Sequence, residues 1–165
     1  MDWDLELLFA ARAVAAALLG ALIGWERQRH GRDAGIRTFG AVSLGACVFG
    51  LISSHVSASA DPTRIAAQVV TGVGFLGAGV ILREQGRITG LTTAATLWST
   101  ASVGLAISFG MYILGGLAAL ITFALLSAHH LPGWPYLGLG ARDGTTEQTV
   151  ADGTADDAEK RDTLE

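Results

Sequence analysis

Two long apolar segments separated by a short charged loop constrain this chain more than any other feature of its sequence. The segments cover residues 64–82 and 90–106, and the loop between them contains Arg83, Glu84 and Arg87. A helix rises about 1.5 Å per residue, so each segment is just long enough to cross a hydrocarbon core of about 30 Å. Both segments are rich in Gly, Ala, Ser and Thr, which let helix backbones approach closely in lipid. The sequence therefore predicts a membrane hairpin.

The first of these segments also matches a nucleotide-binding pattern. Residues 72–77 read GVGFLG and fit GxGxxG, which binds a dinucleotide when a strand precedes it, a helix follows it and an acid lies about 20 residues further on. Here the pattern lies inside an apolar segment, and the nearest acid, Glu84, belongs to the next loop. We therefore expect no cofactor and interpret the glycines of this segment and of an earlier one as helix-packing positions. These positions are Gly20, Gly24, Gly72, Gly74, Gly77 and Gly79.

Three further apolar segments bring the predicted number of membrane-spanning helices to five. They cover residues 5–25, 36–54 and 111–127. The last of them follows the fourth segment so closely that one continuous helix through both would be far too long for a single crossing. We therefore predict a tight reversal at Gly110 and an all-α bundle of five membrane helices.

The predicted membrane domain covers residues 1–128, and the rest of the chain has a different composition. Residues 129–142 combine a helix stop at Pro132 with aromatic residues typical of a membrane interface. Residues 143–165 carry eight acids against two basic residues and lack apolar periodicity, so we predict a disordered tail. The net charge of −4 is a property of this acidic tail.

Arginine is distributed unevenly between the loops. Three arginines lie in the loop after the first apolar segment and two in the loop after the third, whereas the second loop holds only Arg64. Positive charge favours the cytoplasmic side of a membrane. This bias predicts that the first and third loops are cytoplasmic, with the N-terminus outside and the C-terminus in the cytoplasm.

One arginine, Arg12, lies within the first apolar segment, because a helix that started after it would be too short to span. A charge at this depth is costly unless it pairs with another group or reaches the interface. We expect Arg12 to contact Glu6, Asp61 or Gln68, which are predicted to lie at a similar depth. Together with Arg64, the residues Arg12, Asp61 and Gln68 form the predicted polar set of the outer half.

An internal echo links the two loops that are predicted to be cytoplasmic. GRDAGIRT at residues 31–38 and GRITGLTT at residues 86–93 align without gaps. The echo fits a parallel repeat of two helical hairpins with the fifth helix outside it, and coincidence in a glycine-rich chain explains it equally well. In either case Thr38 and Thr93 fall where a hydroxyl can cap the first turn of a helix.

Two stretches of the chain resemble the membrane domain of the MgtC/SapB family. The first is ALLGALIGWERQRHGRDAGIRT at residues 17–38. The second, at residues 61–98, combines D-x-x-R-x-A-x-Q-V-V-x-G-x-G-F-L-G-A-G with GLTTAATLW. The family's motif positions fall on Arg12, Glu26, Arg27, Gly35, Arg37, Thr38, Asp61, Arg64, Gln68, Glu84 and Trp98.

The resemblance implies a bacterial inner-membrane protein linked to magnesium limitation and virulence. Two departures restrict what can be transferred from it. Thr92 stands where the virulence-associated branch of the family has an asparagine, and an acidic tail stands where that branch has a soluble C-terminal domain. Functions that depend on that domain are therefore not transferred to this chain.

We expect function to reside in a cytoplasmic collar of charged and hydroxyl residues beside the starts of the second and fourth helices. Helix N-termini and arginines together favour anions or acidic partner surfaces. Positive-inside topology and lipid-headgroup contact account for many of these arginines equally well. The collar comprises Glu26, Arg27, Arg37, Thr38, Arg83, Glu84, Arg87, Thr92 and Thr93.

Ion transport is the alternative function. Mg²⁺ usually takes one or two carboxylates, and beyond Glu6 the apolar segments contain no acid, so a carrier pathway through one chain is disfavoured. A pore formed by several copies of the chain is an alternative that the sequence allows. A ridge of Thr96, Thr100, Gly104 and Ser108 would line it, although helix packing explains this ridge more simply. We expect neither an enzyme nor a metal site, since no nucleophile–base pair or metal triad is present. The expected partners are the lipid bilayer, another membrane protein or further copies of the chain, and not nucleic acid.

Overall fold

A computed structural model describes residues 2–55, 63–84 and 87–128 of the chain. Their main elements are five helices: α1 (Trp3–Arg29), α2 (Ile36–His55), α3 (Thr63–Val80), α4 (Leu91–Ser108) and α5 (Tyr112–Ser127). The prediction of an all-α bundle is therefore confirmed. Asp61, the predicted interfacial segment at 129–142 and the predicted acidic tail at 143–165 lie outside the described residues.

The reversal between α4 and α5 takes place where the sequence predicted it. Gly110 has a φ of 76°, in the left-handed region that favours glycine. Its N–H donates to the carbonyl of Ile107 at 3.0 Å, and the N–H of Met111 donates to the carbonyl of Ala106 at 2.9 Å. The chain thus turns within three residues, and α5 packs back against α4.

The third loop contains a β-hairpin that the sequence analysis did not predict. Strand β1 (Leu82–Glu84) pairs antiparallel with β2 (Arg87–Thr89), with Leu82 opposite Thr89 and Glu84 opposite Arg87. Strands of three residues are too short to show an alternating pattern of polar and apolar side chains. The hairpin joins the end of α3 to the start of α4.

Helices α1, α2 and α4 pack most closely and form the centre of the bundle. Fully buried apolar side chains from each of them meet there, including Ile23, Phe39 and Val103. Glycine permits the close approach of α1 to α2, because a Cβ added at Gly24 would lie 2.6 Å from the carbonyl oxygen of Gly35. Gly20 faces the carbonyl of Phe39 in the same way. These two glycines have the packing role that the sequence predicted.

The hydroxyl ridge of α4 is buried in this centre. Thr100 and Ser108 are almost completely inaccessible, and each donates a hydrogen bond to a carbonyl of its own helix. Thr96 does the same at the first turns of α4. The ridge therefore lies in a helix interface within this chain and does not line an open passage there.

Helix α3 packs on one side only. A Cβ added at Gly72, Gly74 or Gly79 would meet no atom within 4 Å, whereas one at Gly77 would lie 3.5 Å from Ala94 of α4. The packing interpretation therefore holds for Gly77 and does not hold within this chain for the other three glycines. The physical reason is that α3 presents Val73 and Gly77 to the bundle, and its opposite side, with Phe75 81% exposed, is uncovered.

The helices differ in how well they suit a membrane. Among the described helices, α1 with 27 residues and α2 with 20 residues are long and apolar enough to cross a bilayer, judged by length and composition. The apolar helices Arg64–Val80 and Tyr112–Ser127 are shorter. The presence of five helices is thus confirmed, and the crossing of a membrane by all five stays a prediction.

Candidate functional site

The candidate site lies at the charged end of the bundle, which we define as the end of α1, the start of α2 and the start of α4. Two charged side chains in the last turns of α1 are buried there. Glu26 is 5% exposed and Arg27 is 7% exposed. Charged side chains are rarely buried to this degree unless they are paired. Their partners therefore define the site.

Arg27 connects α1 to α4. Its Nη2 donates to the hydroxyl oxygen of Thr93 at 2.9 Å, across 66 positions of sequence. The expectation that Thr93 caps its own helix is wrong, since the N-cap of α4 is Gly90, with a φ of 86° and no side-chain cap. The hydroxyl instead accepts from the guanidinium, so Thr93 fixes the end of α1 against the start of α4.

Glu26 and Gln28 fasten the first loop to α1. His30 Nδ1 lies 3.0 Å from Glu26 Oε1 and 2.8 Å from the carbonyl oxygen of Glu26. Because both neighbours are acceptors, this nitrogen carries a proton. The backbone N–H of Ile36 donates to Gln28 Oε1 at 3.3 Å, which ties the start of α2 to the same turn of α1. His30 and Gln28 were not among the predicted collar residues, because polar loop residues without a motif give no signal in one sequence.

The buried pair also has unused hydrogen-bonding capacity. Within the described part of the chain, Glu26 Oε2 and Arg27 Nε are buried and have no hydrogen-bond partner. A buried polar atom without a partner costs about 1–3 kcal/mol, and more when it is charged. The charged end therefore holds a carboxylate oxygen and a guanidinium N–H whose burial the bundle tolerates at a cost.

Four further collar residues are exposed at this end of the bundle. The side chains of Arg37, Thr38, Arg83 and Thr92 are exposed, in contrast to Glu26 and Arg27. Glu84 and Arg87 face each other across the β-hairpin through their backbones. The structure thus divides the predicted collar into the buried residues Glu26 and Arg27, with Arg27 bound to Thr93, and exposed residues in the first turns of α2 and α4 and in the β-hairpin.

The opposite end of the bundle holds Arg12, whose described partners differ from Glu6 and Gln68, while the third expected partner, Asp61, lies outside the described residues. The Nη1 of Arg12 donates to the carbonyl oxygen of Ser108 at 2.9 Å, and its Nε donates to the hydroxyl of Tyr112 at 2.8 Å. Neither Glu6 nor Gln68, the two expected partners among the described residues, is hydrogen-bonded to it. The free carbonyls at the C-terminus of α4 attract a cation, which explains why Arg12 binds there.

The other described members of the predicted outer set, Arg64 and Gln68, lie on α3 with exposed side chains and are not hydrogen-bonded to Arg12. Over residues 2–55, 63–84 and 87–128, no three His, Cys, Asp or Glu side chains lie together as metal ligands would. Arg12 therefore provides a structural contact between α1 and the α4–α5 turn.

Comparison with known proteins identifies the family. The sequence profile of the MgtC family matches residues 13–131, a range that includes the charged end and all five helices from Ala13 onward. This match extends over most of the chain. The chain belongs to the MgtC family.

Curated relatives in the family agree with this assignment. "Putative magnesium transporter YhiD" of Escherichia coli strain K12 is 44% identical over 130 residues, which cover 74% of this chain and 60% of the relative. Protein MgtC of Brucella abortus is 47% identical over 125 residues, covering 76% of this chain and 52% of the relative. Protein MgtC of Salmonella typhimurium is 54% identical over 99 residues, covering 60% of this chain and 42% of the relative. The chain thus matches about half the length of these relatives, and no solved structure matches it.

Proposed function

We propose that this MgtC-family chain is a regulator or binding module of magnesium homeostasis in the bacterial inner membrane, and that it works through the charged collar. The observation that supports this proposal is the burial of two adjacent charged side chains, Glu26 beside His30 and Arg27 bound to Thr93. Loop arginines that serve topology alone need only reach the headgroups. A buried carboxylate and guanidinium with unused hydrogen-bonding atoms are costly, and such groups cluster at functional sites.

In this proposal all five helices cross the membrane, with the N-terminus outside and the collar and C-terminus in the cytoplasm. Alkaline phosphatase fused after Ser127 is then expected to be inactive, and a fluorescent protein fused there is expected to glow. As a matched control, phosphatase fused after His55 is expected to be active, because α2 ends on the outer side. An active phosphatase at Ser127 would contradict the five-span arrangement.

Glu84 provides the sharpest test of the collar. It is the only acid in the third loop and lies between Arg83 and Arg87 in sequence. Removing it makes the loop more positive, so a purely topological role predicts no defect. In a recognition site the loss leaves the neighbouring arginines unpaired. We expect Glu84→Ala to accumulate normally in the membrane and to fail to support growth at low Mg²⁺.

Asp33 offers the matched control for this experiment. It is an exposed acid of the first loop and is not a collar residue. Asp33→Ala is expected to accumulate and to support growth at low Mg²⁺. In proteoliposomes, both variants and the unmutated protein are expected to show Mg²⁺ flux at the protein-free background. If the Glu84→Ala strain grew as well as the unmutated strain, the proposal that the collar is the working surface would be wrong.

The second candidate function is ion transport by an oligomer. The name of the E. coli relative and the uncovered side of α3, where a further copy can pack, favour it. Burial of the α4 hydroxyl ridge within the single chain weighs against a passage along that ridge. Robust Mg²⁺ uptake by the purified unmutated protein would decide for this candidate.

A further inference from the structure

An uncovered apolar ridge runs along α1 towards the charged end. Its side chains follow each other at spacings of three or four residues, which places them on one side of the helix. Val14 is 58% exposed, Leu18 65%, Leu22 46% and Trp25 44%. No other described helix covers this side of α1, so a membrane-embedded α1 exposes it to acyl chains.

The ridge ends in a cation. Arg29 lies four residues beyond Trp25, and its guanidinium carbon is 5.2 Å from the centroid of the Trp25 ring. A guanidinium stacked on an aromatic face keeps its N–H edge free to donate two parallel hydrogen bonds to one phosphate. Tryptophan rings commonly lie at the level of the headgroups. The stacked pair therefore presents a phosphate-binding edge at the end of an apolar track.

Three arginines near this edge have no carboxylate partner among the described side chains. These are Arg29, Arg32 and Arg37, and all three are exposed. The described carboxylate of Glu26 is buried and lies 3.0 Å from His30 Nδ1. The surface beside Trp25 thus carries a local excess of positive charge.

We propose that Trp25 and Arg29 form a binding site for an anionic phospholipid, with its phosphate on Arg29 and one acyl chain along Leu18 and Leu22. Arg32 adds attraction for a net negative headgroup. An acidic protein surface would be complementary only to the charge of the arginines. An anionic lipid is complementary to that charge and also to the apolar ridge that leads to it. The site is independent of the proposed function, since neither Trp25 nor Arg29 belongs to the collar.

Native mass spectrometry of the full chain in detergent tests this site, with dioleoyl phosphatidylglycerol and dioleoyl phosphatidylcholine as the two probes. We expect the unmutated protein to prefer phosphatidylglycerol. Arg29→Gln should lower the affinity for phosphatidylglycerol by about fivefold and leave that for phosphatidylcholine unchanged, because one arginine near a lipid surface contributes about this factor. Arg29→Lys should be intermediate, because lysine keeps the charge and loses the planar fork.

Arg64→Gln is the matched control, since Arg64 is an exposed arginine on α3 outside this site. It is expected to alter neither affinity. The proposal would be overturned if Arg29→Gln lowered the affinity for both lipids equally, or if it lowered neither affinity. The arginines would then be better explained as a binding surface for an acidic protein partner. Displacement of phosphatidylglycerol by millimolar inorganic phosphate would overturn it in favour of a free anion. Growth at low Mg²⁺ is not used as a readout, so failure here is separate from failure of the collar.

Discussion

Alanine at Gly24 is expected to destabilise the bundle, whereas alanine at Gly72 is expected to leave it intact or slightly more stable. The added Cβ at Gly24 would lie 2.6 Å from the carbonyl oxygen of Gly35 and 2.8 Å from the Cα of Ile36. Both neighbours are backbone atoms, so α1 and the start of α2 must move apart. Overpacking of this kind costs about 1–3 kcal/mol.

Gly72 is the matched control because it lies in the same kind of apolar helix and faces open space. Its added Cβ would meet no atom within 4 Å. The change from glycine to alanine inside a helix gains about 0.5–1 kcal/mol from helix propensity alone. Thermal unfolding of the two variants in the same detergent measures the contrast. A Gly24→Ala protein that unfolds at or above the temperature of the unmutated protein would contradict the close approach of α1 to α2.

Replacement of Arg27 by methionine is expected to cause the largest loss of stability among single changes at the charged end. The substitution removes the hydrogen bond from Arg27 to Thr93 and the attraction between the guanidinium and the buried Glu26 carboxylate, whose contact with His30 stays in place. Loss of a hydrogen bond made by a buried charged group costs about 1.5–3 kcal/mol, and the lost attraction to Glu26 adds to this cost. Thr93→Val removes only the hydrogen-bond acceptor, for which about 1.5–3 kcal/mol is expected.

Two comparisons separate this contact from a general effect of charge. Arg37→Met removes an exposed arginine of the collar, and we expect its stability to stay within about 0.5 kcal/mol of the unmutated protein. The double variant Arg27→Met with Thr93→Val should be no less stable than Arg27→Met alone, because the two residues share one hydrogen bond. Unfolding by heat or by denaturing detergent measures all four proteins. Simple additivity of the two changes would show that Arg27 and Thr93 do not interact.

Much of the helical framework could be predicted from the order of residues along the chain. The apolar segments at 36–54 and 111–127 correspond to α2 and α5 within one or two residues. The reversal at Gly110 was predictable because one helix through both segments would exceed the bilayer. The echo also has a structural counterpart, since Ile36 and Leu91 are aligned in it and begin α2 and α4. Its equivalence is incomplete, because Gly90 has a positive φ and its counterpart Gly35 does not.

The candidate site could be predicted in its location and not in its contacts. Charged residues at the ends of apolar segments must gather at the ends of the bundle, so the grouping of Glu26 with Arg27 and Thr93 followed from topology. Which of them are buried depends on how closely the helices approach. Gly24 permits that approach to the start of α2. Gly72 has no such role, because a Cβ added there would meet no atom within 4 Å.

The sequence by itself thus determined the apolar segments, the turn at Gly110 and the end of the bundle where charge collects, because these depend on hydrophobicity and chain length. Only the tertiary structure decided the partners of polar groups. It assigned Arg12 to the carbonyl of Ser108 and Arg27 to the hydroxyl of Thr93, 96 and 66 positions away in sequence. A hydrogen bond is selected by the distance and direction between two atoms, and helix packing sets both.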